Sequence, residues 1–219
     1  MSLGFTKKRC LICEIQKASY PKLLEREKQI EAALHDLRHH AIVIRRLAQD
    51  GRGEKLETYL NSFGEWLPKD DPIFYCGHYL INTLLEFYAG LAKRHKTDFS
   101  VRAELPESIP VKDADLSAVL SNLLENALDA TTKIPAQQRR VSVAIVTFYE
   151  TLGINVQNPF DGNVRVESGC FFSTKNVGRK GVGIASVRSI CRSYGGNVRF
   201  YADEENIFHS EVMLPLKGD

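Results

Sequence analysis

Leu116-Ser-Ala-Val-Leu-Ser-Asn-Leu-Leu-Glu-Asn-Ala-Leu-Asp-Ala130 is the stretch on which the reading of this chain turns. Leu116, Val119, Leu120, Leu123, Leu124, Ala127 and Leu128 recur at intervals of three and four, so one stripe of a helix faces a core. Asn122 and Asn126 stand four apart and share one face of that helix. A carboxamide oxygen is a good ligand for a hard cation, and two along a helix can hold magnesium against phosphates. Taken alone, the helix is equally well an ordinary amphipathic one with two solvated asparagines.

A second stretch decides between these readings. Ser173-Thr-Lys-Asn-Val-Gly-Arg-Lys-Gly-Val-Gly-Ile-Ala-Ser-Val187 sets Gly178, Gly181 and Gly183 before an apolar helical run, Ile184 to Cys191. Glycines let backbone N–H groups approach phosphate closely, and the helix N-terminus that follows favours an anion. A glycine cluster by itself often marks only a flexible turn, but here charge adds to it. No acidic residue lies between Ser168 and Ala202, while Lys175, Arg179, Lys180, Arg188, Arg192 and Arg199 are all basic. That imbalance suits a polyanionic ligand in a chain whose net charge is only +2.

Together the two stretches resemble the N box and second glycine box of the GHKL superfamily of ATP-binding domains, which includes gyrase, the large heat-shock chaperones, mismatch-repair ATPases and histidine kinases. The resemblance implies that Asn126 coordinates magnesium. Hydrolysing members carry a glutamate base four residues earlier. Asn122 stands there and cannot take a proton from water at neutral pH. In this the chain resembles the histidine-kinase branch, where phosphoryl goes to a side chain.

The alternating run Leu152-Gly-Ile-Asn-Val-Gln-Asn158 reads as a strand. Asn158 stands where the family usually has an aspartate for the adenine amino group, and its oxygen can accept the same hydrogen bond. Asp161, followed by Gly162, offers a substitute. Asparagine at this point is similar to the quorum-sensing and citrate-sensing type of kinase. Phe171 and Phe172 precede Ser-Thr-Lys as the family's F box precedes its lid; two core aromatics are the alternative.

Upstream, Pro21 to Asp50 reads as one long helix. Leu23, Ile30, Leu34, Leu37, Ala41, Ile44 and Ala48 form a heptad seam interrupted at Glu27, and Asp50-Gly-Arg-Gly53 ends it. A second helix follows through Leu56, Leu60, Phe63 and Trp66 or Leu67, and stops at Pro68. Two such helices cannot bury their seams alone, which predicts a dimeric four-helix bundle. With the seam at a and d, His39 falls at f and His40 at g, so both are expected outside the apolar seam, with His39 facing solvent. A neutral imidazole on an exposed helix face is a competent nucleophile toward a γ-phosphate. A metal site of His35, His39, Asp36 and His40 is the rival reading, and it has no third ligand cluster.

Leu37-Arg-His-His40 resembles the H box of the same sensor-kinase branch, which makes His39 the acceptor and Arg38 its neighbour. Two positions depart from the pattern. His40 stands where an acidic residue normally serves as base, and Val43 stands where Asn or Thr aligns water for phosphatase action. The resemblance covers about residues 30 to 216. It implies a homodimeric two-component sensor kinase that binds ATP and magnesium and passes phosphoryl from His39 to a response-regulator aspartate. A pseudokinase scaffold, and a GHKL-type ATP hydrolase or serine-protein kinase, are the alternatives.

With 219 residues, 43% hydrophobic, the chain has room for one compact domain and a short helical module. The expected division is a linker or tag remnant over 1–20, a dimerisation and phosphoacceptor hairpin over 21–68, and an ATP-binding domain over 69–219. Five cysteines at irregular spacing favour a reduced cytoplasmic setting, and Cys10-Leu-Ile-Cys13 reads as incidental. No apolar run approaches 18 residues and no signal peptide is visible. Sensor kinases usually carry membrane segments before this region, so the resemblance implies the cytoplasmic part of a membrane-anchored bacterial sensor protein. Helices are expected at 77–95, 113–132 and 184–194, and strands at 99–104, 140–149, 152–158, 197–202 and 207–215. In the last two, Val198 and Phe200 are set against Val212 and Leu214. An irregular, poorly ordered lid is expected over 160–183. The fold class is α+β, a GHKL (Bergerat-type) sandwich of a mixed sheet backed by helices.

Overall fold

The computed structural model describes residues 25, 28–62, 73–162, 165–167, 170–172 and 182–216. The chain divides into two compact units, Met1–Leu67 and Pro68–Asp219.

In the first unit a helix, α1, runs over 28–49 and is followed by α2, Gly53–Asn61. Gly51 ends α1 in the left-handed region (φ 64°), with Gly51 N–H donating to the Ala48 carbonyl and Arg52 N–H to that of Leu47. This is the paired-bond cap in which glycine has no Cβ to strain. The half-buried positions of α1 are His40, Ile44 and Leu47, and those of α2 are Leu56, Tyr59 and Leu60. Ile30, Leu34 and Leu37, in the first half of the expected seam, lie 57%, 57% and 64% exposed. Phe63, Trp66, Leu67 and Pro68, with which the second helix was expected to close, lie outside the described residues, as do Pro21 and Leu23.

The second unit is built on a five-stranded sheet in the order β1-β2-β3-β7-β6, with β1 Asp98–Glu104, β2 Arg140–Phe148, β3 Thr151–Pro159, β6 Asn197–Ala202 and β7 Ile207–Pro215. β1 and β2 run parallel; every other neighbouring pair is antiparallel. A parallel pair cannot be joined by a tight turn. The crossover is α4, Asp113–Thr131, the helix quoted first. With α3, Tyr79–Arg94, and α5, Val182–Ser193, it packs on one face of the sheet.

The strand alternation shows which face. Val141, Val143 and Ile145 of β2, Leu152, Ile154 and Val156 of β3, and Val212 and Leu214 of β7 are all essentially inaccessible. They meet Leu116, Val119, Leu120, Leu123, Leu124 and Ala127 of α4, Ile81, Leu85 and Tyr88 of α3, and Val187 and Cys191 of α5. Each large aliphatic side chain so buried contributes about 1.5–3 kcal/mol, so the helical stripe and the strand period together carry this unit. Val198, Phe200, Val212 and Leu214 are all buried, with Val198 opposite Val212 and Phe200 opposite Ser210.

One expectation needs correcting within the lid. β4, Arg165–Glu167, and β5, Cys170–Phe172, form a separate antiparallel ladder with Val166 opposite Phe171. Strands of three residues are too short to display a period, so an irregular segment was expected there.

Candidate functional site

Two places gather the side chains singled out by the sequence, one in each unit. In the second unit the site grows from the contact between α4 and α5. Asn122 is half-buried on α4 and its Nδ2 donates to the Ala118 carbonyl at 2.6 Å. Its carboxamide lies close against Gly183 in the first turn of α5, where a Cβ would overlap Asn122 Oδ1. Glycine at 183 thus lets the two helices approach with Asn122 in this rotamer, and no unusual backbone angle is involved. At the other end of the pair, the Tyr194 hydroxyl donates to Asp115 Oδ2 at 2.7 Å and accepts the Lys112 N–H at 3.1 Å. The Asp115 interaction holds the Tyr194 phenol above its usual pKa. Contacts at 122 with 183 and at 115 with 194 make the two helices antiparallel. The amino end of α5, where the first N–H groups have no acceptor within the helix and the dipole is positive, thus lies beside the middle of α4.

Asn126, one turn beyond Asn122, is exposed, so its oxygen is accessible to an ion or ligand. Next to it, Glu125 accepts the Tyr88 hydroxyl at 3.2 Å; burial is the main cause that pushes this phenol up to about 12. Asn158 stands near the end of β3, 2% exposed, its Nδ2 donating to the Pro159 carbonyl at 3.0 Å. It belongs to the inward set that includes Leu152, Ile154 and Val156, so it lies on the sheet face that α4 covers. Asp161 is exposed at the corner that follows. That corner is shaped by Gly162 (φ 77°) and tied to the β6–β7 turn by Phe160 N–H donating to the Asn206 carbonyl at 3.1 Å. Asn206 carried no signal in the sequence, because its role arises only when two turns meet.

Lys175, Gly178, Arg179, Lys180 and Gly181 lie outside the described residues; among the expected glycines of the second box, Gly183 is the one whose position is given. Of the five cysteines, Cys76 and Cys191 are described in full, both as buried free thiols pushed up by desolvation and so not reactive thiolates.

In the first unit, His39 is exposed on α1, and its Nε2 lies 3.1 Å from Nε2 of His35 one turn earlier. The ring centroids are 4.4 Å apart. His35 Nδ1 lies 3.4 Å from Asp36 Oδ1. Arg38 is exposed beside them. His40 departs from its expected place. It is half-buried, and its Nδ1 lies 2.8 Å from the Tyr59 hydroxyl of α2. The physical reason is a rotation of the packed face: α2 covers the His40–Ile44–Leu47 side of α1, not the a/d seam alone. Among the described residues no group of three His, Cys, Asp or Glu side chains is disposed to hold a metal, and no helix is long and apolar enough to cross a membrane.

Residues 111–215 match the family of the GHKL domain. The sensor protein TdiS of Thauera aromatica is 28% identical over 131 residues, which take up 56% of this chain and 24% of that protein. The chain therefore spans about a quarter of that relative's length. Two nucleotide-free crystal forms of the catalytic domain of histidine kinase ThkA share the fold. One has TM-score 0.51 at 20% identity, the other 0.52 at 19%, each covering 64% of this chain and 94% of theirs. Residues 111–215 are thus similar to the GHKL domain, and the solved structures share the fold of the second unit.

Proposed function

We propose that the chain carries a GHKL-type ATP-binding region and is a homodimeric two-component histidine kinase that binds ATP with magnesium and phosphorylates itself on His39. The observation that carries this reading is Asn122. At the point where a hydrolysing relative needs a glutamate, the side chain is a carboxamide committed to Ala118 and seated against Gly183. Such a group takes no proton from water, which leaves a side chain as the natural acceptor of the phosphoryl group.

In this reading Asn126 supplies an oxygen to magnesium, which neutralises charge on the triphosphate when bound. Asn158 takes the adenine amino group, with Asp161 at the corner beyond. Gly178, Gly181 and Gly183, with Lys175, Arg179 and Lys180, face the phosphates together with the amino end of α5. His39 is the acceptor and Arg38 its cationic neighbour. A second copy covers Ile30, Leu34 and Leu37, whose exposure is large for one row of a helix. A response-regulator aspartate then receives the phosphoryl group, and the full protein is anchored to the membrane by a segment outside this chain, facing the cytoplasm.

The test is incubation with γ-labelled ATP and magnesium, followed by mapping of the labelled residue. Acid-labile label on His39 that is lost in His39→Gln supports the kinase. A second reading, a dimeric scaffold without transfer, draws on one observation: His40 is engaged by Tyr59, not poised as the base expected beside His39. A parent protein that binds ATP and acquires no label decides for the scaffold.

A further inference from the structure

The second unit leaves its apolar surface at one end. Among its described residues the large apolar side chains that remain exposed are Ile73, Phe74, Tyr79, Phe148, Tyr149 and Met213. Topology gathers them. Phe148 and Tyr149 lie at the turn that joins β2 to β3, and Asn158 stands at the other end of β3. Glu104, the last residue of β1, is opposite Val146 of β2. Three residues later Glu107 packs on Gly77, its Cγ 2.9 Å from where a Cβ would stand. The entry to α3, with Phe74 and Tyr79, is therefore at the same end as the turn.

The outer face of the sheet extends the surface. Val141, Val143 and Ile145 point into the core, so Val146 and Phe148 point away from it. Val146, Gly153 and Met213 make one row across β2, β3 and β7. A Cβ on Gly153 would make only ordinary contacts, at 3.7 Å, with the Val146 side chain and carbonyl, so crowding does not call for glycine here. Its effect is an open notch between Val146 and Met213, and glycine inside a strand often marks a place that another group approaches. At the turn Tyr149 has φ 50°, in the left-handed region that favours glycine or asparagine, and it is 87% exposed. It meets Phe148 edge-on, with ring centroids 4.4 Å apart, and the fold buries neither ring. A contiguous apolar surface of this kind marks an interaction site.

Charge selects the occupant. Glu104, Glu107 and Glu150 stand exposed around the Phe148 corner, and Arg102, the cation on β1, is engaged with Glu104 at 2.9 Å. Lys112 and Asp113 offset each other at the start of α4, and Arg192 belongs to α5, which packs on the opposite face of the sheet. A second copy would bring these carboxylates against their own kind, and an anionic bilayer would repel them. A basic segment meets them with opposite sign. We propose that this end of the second unit, away from Asn158, docks another protein through an amphipathic segment, apolar on one side and rich in lysine or arginine on the other. The apolar side covers Phe148, Tyr149 and Met213 and fills the notch at Gly153. The cations stand against Glu104, Glu107 and Glu150. The proposal does not depend on His39 or on phosphoryl transfer.

The experiment uses the whole chain with a synthetic helical peptide of leucine and lysine, and with a counterpart carrying glutamate for lysine. Calorimetry measures affinity, and hydrogen exchange locates the contact. The lysine peptide should bind, more weakly as salt is added, and should slow exchange in the β2–β3 turn and at Met213. Affinity should fall about tenfold or more in Phe148→Ser with Met213→Ser, which removes the apolar anchors. Glu107→Lys with Glu150→Lys should weaken binding through charge alone, and Gly153→Val should weaken it by filling the notch. All but Gly153 are exposed side chains, so melting should be little changed, and Glu150→Lys in an exposed turn serves where the apolar pair does not fold. Failure of the lysine peptide to bind, equal binding of the glutamate peptide, protection confined to other surfaces, or parental affinity in these variants overturns the proposal. Self-association beyond a dimer that the same substitutions abolish gives the surface to a second copy, and binding to phosphatidylglycerol vesicles that they abolish gives it to a membrane; either result overturns it too.

Discussion

Replacing Gly183 with alanine puts a methyl group where α5 touches α4. The added Cβ would overlap Asn122 Oδ1 and stand 3.2 Å from its Cγ. At the far end α5 is held by Tyr194 on Asp115 and by a glycine cap at Gly195 (φ 65°), so the Asn122 side chain is the part able to move. Turning it away breaks its 2.6 Å bond to the Ala118 carbonyl, a loss of about 1 kcal/mol. An imperfect rotamer adds about 0.5–1 kcal/mol. Against this, alanine for glycine inside a helix stabilises by up to about 1 kcal/mol. The expected net cost in the parent is therefore about 0.5–1 kcal/mol. In an Asn122→Ala background the obstruction is gone, and the same substitution should stabilise by about 0.5–1 kcal/mol. The diagnostic is the coupling of about 1–2 kcal/mol between the two sites. Hydrogen exchange at the β3 amides, measured in all four proteins, reads the stability of this unit separately from the helical hairpin. Equal effects of Gly183→Ala in both backgrounds, within about 0.3 kcal/mol, would refute the contact.

Asn126→Ala should abolish magnesium-dependent ATP binding in calorimetry while changing stability by no more than about 0.5 kcal/mol, since the side chain is exposed; unchanged affinity would remove Asn126 from the site. Deleting residues 1–68 should turn a dimer into a monomer in sedimentation at tens of micromolar, because the exposed row Ile30, Leu34 and Leu37 goes with them; a dimer that persists would place the interface elsewhere. Tyr88 ionises at about 12 in the folded protein and at about 10 when unfolded. Its contribution is present in full below about pH 10 and is lost as pH rises toward 12, so Tyr88→Phe should flatten the alkaline fall in stability. An identical alkaline limb in parent and variant would show that other groups cause it.

Much of the fold was legible from period alone. The stripe of α4, the alternation of β2 and β3 and the paired β6 and β7 each declare one buried face, and a sheet with helices on that face is the arrangement that satisfies them together. The short ladder of β4 and β5 was not legible, because three residues cannot express a two-residue period above chance. The candidate site divides in the same way. Asn122, Asn126 and Gly183 stand out by type and spacing, since phosphate and metal chemistry call for amides and for backbone without a Cβ. Tyr59, Tyr194 and Asn206 are ordinary residues in sequence, and become informative only through the partners that folding brings them.

What the sequence determined by itself is what depends on residue type and local periodicity: the amphipathic helices, the strand faces, the oxygen-bearing asparagines and the absence of a carboxylate at 122. Tertiary structure decided which neighbours these groups have. It set Asn122 against Gly183 across two antiparallel helices. It carried His40 to Tyr59, because α2 packs on a face of α1 rotated from the heptad seam. Spacing along a helix specifies which residues share a face, but the partner that covers a face comes from elsewhere in the chain, and only packing selects it.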